Sequence, residues 1–251
     1  MSSEKAFTLR GKTALITGAA KRLGREIALA LAEDGVSSVI HCLTSTGEAE
    51  ELKKQIEKLG PKAWVLQVDL SQSTEYEALF RKAAECAGTI DILINSASIF
   101  PQGSLEGVTL ESINRNVEIN AWVPLFLSRE FSRQTSQGRI VNMLDTRITG
   151  GDRKHLAYYL SKMMLAEITK TLALELAPDI TVNAVAPGLI LPPAGKDESY
   201  LEKLRDTVPL KMIGHPAYVT DAVLFLLNSS FITGQVIYVD GGRHLIGSEV
   251  F

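Results

Sequence analysis

The stretch ALITGAAKRLGREIALAL, residues 14–31, joins a short apolar run to a helical one through a turn that contains Gly18 and Gly24. The first run suits a buried strand, the second repeats apolar residues at helical spacing, and the glycines let backbone come close to a ligand. The same alternation continues outward. β-like KTALIT, SSVIHCL, KAWVLQVDL, DILINSA, RIVNML, ITVNAVAP and QVIYVDGG are separated by helical runs, with long helices predicted at about 110–137 and 156–177. Strands alternating with helices of this length imply right-handed crossovers and a parallel sheet covered on both faces. The expectation is an α/β protein: a Rossmann-type, doubly wound parallel sheet of about seven strands, forming one domain over residues 1–251.

A chain of 251 residues that is 45% hydrophobic can bury one large core. Its formal charge of −3, with no basic cluster, argues for a small-molecule partner and against nucleic acid. The polar start MSSEKAFTLRGK and the lack of a long apolar run predict a soluble, cytoplasmic protein with no membrane partner. Cys42 and Cys86 have no Cys or His at metal spacing, so two reduced thiols and no metal site are expected. After the sixth strand the rhythm breaks, and the Pro- and Gly-rich residues 189–215 read as a substrate-covering loop at the carboxyl edge of the sheet.

The turn at Gly18 and Gly24 fits either a bare tight turn or a cradle for a pyrophosphate at a helix N-terminus, and Ala20 and Arg22 stand where further glycines would complete the usual fingerprint. RGKT at residues 10–13 lacks the upstream glycine of a P-loop. The second strand ends in His41, Cys42, Leu43, Thr44, Ser45 and Thr46, none a carboxylate for a ribose 2′-hydroxyl, while Lys21 and Arg22 put two cations in the neighbouring turn. A 2′-phosphate would be attracted there, which predicts NADP(H), with Thr44 and Ser45 beside it. Asp69, after the third strand, suits an adenine amino group or a turn cap equally.

NMLDTRITGGDRKHLAYYLSK, residues 142–162, carries the candidate chemistry. Tyr158 and Lys162 are four apart on one helix face, Tyr159 being the alternative partner at three, and an ammonium beside a phenol lowers the phenol's pKa. Asp145 lies thirteen residues before Tyr158. A ketone taking a hydride develops negative charge that a carboxylate repels, whereas a C=N bond needs a proton on nitrogen. Asp145 therefore points to imine-like substrates, or else caps a turn. Lys162 is expected to keep it ionised.

TGAAKRLG, NSAS, YYLSK and APG, in this order, resemble the short-chain dehydrogenase/reductase family along nearly the whole chain. The resemblance implies that Tyr158 donates a proton, that Lys162 holds the nicotinamide ribose, and that Asn120 is the family's catalytic asparagine. It places Leu23, Leu70, Asn95, Ser96, Ala97, Pro187, Gly188 and Leu189 beside the cofactor. Asp145 stands where the family has a serine. That departure, with TGAAKRLGR, GGDRKHLAYYLSK and DGGRHL, resembles the pteridine reductase and dihydromonapterin reductase branch. It implies Phe100 stacked on a pterin, Ser98 touching pterin and cofactor phosphate, and NADPH-dependent reduction of a dihydropterin. A general carbonyl or 3-oxoacyl reductase and a non-catalytic NADP(H)-binding protein stay open. The family's helix pairing implies a homotetramer, with the tail GGRHLIGSEVF carrying Arg243 and His244 toward a neighbouring subunit's site.

Overall fold

The computed structural model describes residues 7–193 and 195–250. Residues 1–6 and 251 of the expected domain, and residue 194 of the expected loop, lie outside the described residues. The strands are β1 (Thr13–Ile16), β2 (Ser37–Cys42), β3 (Ala63–Gln67), β4 (Ile92–Asn95), β5 (Gly138–Met143), β6 (Ile180–Pro187) and β7 (Val236–Val239). They form one parallel sheet in the order β3-β2-β1-β4-β5-β6-β7.

Side chains alternate across each strand, so successive residues of β1 enter different cores. Ala14 and Ile16 face the core built with α1 (Arg22–Glu33), α2 (Thr46–Leu59) and α8 (Pro216–Asn228). Leu15 faces the core built with α3 (Ser73–Ala87), α5 (Val123–Gln134) and α6 (Leu156–Glu175). Both faces are covered, which is why the central strands are buried throughout.

Two helical expectations change. The run at 110–137 is α4 (Leu110–Val117), a wider π turn over Glu118–Trp122, and α5, ending at Gln134. A π turn arises where a side chain disturbs the regular ladder, and Asn120 sits within it, bonded out to a neighbouring loop. α8 has no counterpart in the sequence reading. It is too uniformly apolar to show amphipathic spacing, although Pro216 in its first turn is a start signal. The loop over 189–215 holds α7 (Glu198–Glu202) and its own small core of Leu189, Leu201 and Val208. Cys42 and Cys86 are free thiols, and among the described residues no helix is long and apolar enough to cross a membrane.

Candidate active site

The strand order reverses between β1 and β4, and open α/β sheets bind ligands in the crevice at that point. The turn after β1 faces the turn after β4. Gly18 has φ +64°, and a Cβ there would lie 2.9 Å from Ala97 Cα, so both the conformation and the close approach require glycine. Thr17 ties the turns together, its Oγ1 accepting from the amides of Ser96 and Ala97 at 3.0 Å each.

A residue not singled out by sequence holds the turn from behind. His41 is buried; its Nδ1 accepts from the Gly18 amide (3.1 Å), which leaves Nε2–H to donate to the Val68 carbonyl (3.0 Å). Burial lowers its pKa, so the neutral ring that this geometry needs is also the favoured form. Its signal was a histidine in an apolar strand, which reads equally as core.

Lys21 and Arg22 are exposed at the start of α1, whose N-terminus has no side-chain cap. Arg22 adopts φ +57°, the left-handed region where a glycine would sit without strain. Lys21 Nζ pairs with Glu48 Oε1 at 2.6 Å, next to Ser45 at the N-cap of α2 and the exposed Thr44. Free amides with two cations suit a phosphate group, though Glu48 is a carboxylate competing for Lys21.

Several predicted cofactor residues have their side chains engaged within the protein. Asn95 is buried and donates to Asn142 Oδ1 at 2.8 Å. Asp69 accepts from the Ser71 amide at 2.9 Å, as a turn cap does, and Leu70 is buried in the sheet core. Gly188 follows Pro187 because a Cβ would lie 2.5 Å from Asp240 Cβ, and the Leu189 carbonyl accepts from the Gly214 amide at 2.9 Å. Leu23 packs against the core beside α1.

Asn120 is saturated: Oδ1 accepts from the Ile99 amide (2.9 Å) and Ser98 Oγ (3.1 Å), while Nδ2 donates to the Ile99 carbonyl (3.1 Å) and Ser161 Oγ (3.0 Å). It fixes the segment before Phe100 to α6 and has no direct bond to Tyr158 or Lys162 among the described contacts. Ser98 is therefore engaged by Asn120.

At the carboxyl ends of β5 and β6 the predicted acid meets its tyrosine. Tyr158 Oη donates to Asp145 Oδ2 at 2.9 Å, and Tyr158, not Tyr159, makes this contact. Asp145 also accepts from the Arg147 amide (Oδ1, 2.9 Å) and the Arg147 guanidinium (Oδ2, 3.0 Å). Asp145 caps the 3-10 turn Thr146–Thr149, one of its two sequence readings, and also contacts the tyrosine. Lys162 is buried and donates to the Met143 carbonyl at 2.7 Å.

Two electrostatic expectations are corrected. Burial and the adjacent Asp145 carboxylate push the Tyr158 phenol well above its ordinary value, against the lowering expected from Lys162, whose Nζ lies 5.8 Å from the ring centroid. Nor is Lys162 the main cation for Asp145, since Arg147 is in contact with it. Burial brings the Lys162 ammonium down to about 8, partly offset by Asp145.

Phe100 forms one wall, stacked on His155 (centroids 4.0 Å apart), edge-on to Tyr158 (4.6 Å) and under the Arg147 guanidinium (5.0 Å). The tail residues Arg243 and His244 pack on their own chain: Thr149 Oγ1 donates to the His244 carbonyl (3.3 Å), His244 stacks on Tyr238 and its amide donates to Asp240 Oδ2, which also accepts from Thr146 Oγ1. An apolar hollow of about 710 Å³ lies between the tail and the 189–215 loop, but none of Phe100, Asp145 and Tyr158 lines it.

A tyrosine and a buried lysine one helical turn apart, at the switch side of a parallel sheet beside a glycine-rich turn, define an α/β oxidoreductase. The family profile described as enoyl-(acyl carrier protein) reductase matches residues 18–244. A short-chain dehydrogenase/reductase of Pestalotiopsis microspora is 31% identical over 94% of this chain and 96% of its own. The 3-oxoacyl-[acyl-carrier-protein] reductase FabG of Staphylococcus epidermidis is 30% identical over 93% and 99%. Among solved structures, the FolM alternative dihydrofolate reductase 1 of Brucella canis, complexed with NADP, is 31% identical with a TM-score of 0.88, covering 95% of this chain and 96% of that one. The chain belongs to the short-chain dehydrogenase/reductase family.

Proposed function

We propose that this protein uses NADPH to reduce the C=N bond of a dihydropterin to the tetrahydropterin. The observation that carries the reading is the Tyr158–Asp145–Arg147 contact, which sets a carboxylate against the hydroxyl of the tyrosine. A developing alkoxide is repelled there; a ring nitrogen carrying a proton is attracted. When bound, NADPH supplies a hydride to the carbon of the C=N bond. The chain's own residues do the rest. The proton comes from solvent and reaches the ring nitrogen through Asp145, Tyr158 or a water between them, while Phe100, stacked on His155 and edge-on to Tyr158, borders the site. Lys21, Arg22, Thr44 and Ser45 would hold the 2′-phosphate, and Lys162 the nicotinamide ribose. The likeness to the FolM reductase supports the substrate class.

The likeness to FabG keeps ketone reduction as the competing reading. We infer a homotetramer from the family's helix pairing, with which the exposure of Leu110 on α4, Trp122 in the π turn and Leu160, Met163 and Leu174 on α6 agrees. The test is NADPH oxidation with dihydromonapterin, dihydrobiopterin and dihydrofolate in parallel with a ketone panel. Asp145→Ser should lower dihydropterin turnover by about 100-fold or more. Wild-type rates in that variant, or turnover of ketones alone, would overturn the assignment.

A further inference from the structure

Asp145 shares its corner with a second carboxylate. Asp152 is buried; Oδ1 accepts from the amides of Lys154 (2.8 Å) and His155 (3.1 Å), and Oδ2 pairs with His155 Nδ1 at 2.8 Å. Two carboxylates in one buried site raise each other's proton affinity unless a cation stands between them. Arg147 stands there. Its Nη1 lies 3.0 Å from Asp145 Oδ2 and its Nε 2.9 Å from Asp152 Oδ2, while its amide adds the bond to Asp145 Oδ1. A planar guanidinium whose charge is permanent can serve two carboxylates at once, which a lysine cannot do in the same geometry. The same group lies over Phe100, so it also touches the aromatic wall.

We propose that Arg147 is a positioning residue that holds Asp145 aimed at Tyr158 and offsets the opposing charge of Asp152. The catalytic consequence rests on the C=N reading above; the bridging of the two carboxylates does not. Around Asp145 the titratable groups are Arg147 on its own turn, Asp152 and His155 on the segment before α6, Tyr158 and Lys162 on α6, Tyr200 from the loop, and Arg243 from the tail. Arg147 alone, among the described contacts, bridges both carboxylates. Burial works against the Asp152 charge, yet the His155 bond, the Lys154 amide and Arg147 hold it below the usual range. The competing negative charge is therefore permanent at neutral pH.

The test is an infrared titration of the whole protein, with the Asp145 carboxyl band assigned by its loss in Asp145→Asn. Arg147→Met should raise the Asp145 midpoint by about 1–3 pH units. Asp152→Asn should move it the other way, the double variant should return toward wild type, and Arg147→Lys should fall between. The acid limb of dihydropterin turnover should follow the same displacements. If Arg147→Met does not fold, Arg147→Lys still decides the matter, because an arginine that only supports the fold leaves the Asp145 midpoint where it is. Unmoved midpoints overturn the proposal. Midpoints that move as expected in a protein that turns over no dihydropterin leave Arg147's role intact and remove the pterin reading instead.

Discussion

Lys162 offers a prediction whose size follows from its burial. The ammonium sits inside the protein on the Met143 carbonyl, and burial lowers its pKa from 10.5 to about 8. At about 1.4 kcal/mol per pH unit, holding it charged at pH 7 costs the fold about 3 kcal/mol relative to a lysine in the unfolded chain. The sign is set by the lowered folded value: between about pH 8 and 10.5 the unfolded chain binds more protons than the folded one. Stability from this group therefore rises with pH across that window, and below pH 8 the penalty is constant. Lys162→Met removes the term and leaves the Met143 carbonyl short of a donor, a loss of about 1–3 kcal/mol that does not depend on pH. The assay is urea unfolding of both proteins at fixed protomer concentration from pH 7 to 10, without cofactor. Wild type should gain about 2–3 kcal/mol on the variant between those limits. A difference that stays flat from pH 7 to 10 would refute the reasoning, for it would mean that Lys162 is solvated or paired more strongly than its surroundings imply.

Removing the competing carboxylate in Glu48→Gln should tighten NADPH binding and leave NADH binding unchanged, read by fluorescence titration; equal effects on both would show that Lys21 does not meet the 2′-phosphate. His41→Leu should weaken binding of both cofactors, since the Gly18 amide loses its acceptor, and in wild type affinity should fall as pH drops below the ordinary histidine range, where protonated Nδ1 can no longer accept. A pH-independent affinity in wild type down to the onset of unfolding would count against this role.

Much of the fold was legible because its signals are local. Both faces of the sheet are covered, so strands read as apolar runs, and α1 and α2 carry one apolar face each. α8 was not legible for the opposite reason, being apolar on all sides, and the π turn at Asn120 was hidden because side-chain bonding to Ser98, Ile99 and Ser161 cannot be read along the chain. Tyr158 and Lys162 were found by spacing, since a helix brings positions four apart to one face, and Asp145 by the resemblance, which puts a serine there.

What the sequence determined by itself was the seven strands and the alternation of strand and helix up to the sixth, the glycine-rich turn with its two cations, and the presence of a carboxylate where the family has a hydroxyl. The tertiary structure decided what that carboxylate is. Only folding brings Arg147 between Asp145 and Asp152, buries the Tyr158 phenol against Asp145, and turns Asn120 and Asn95 inward. Charge interactions depend on distance and burial, and neither is written in residue spacing once the contacts cross from one element to another.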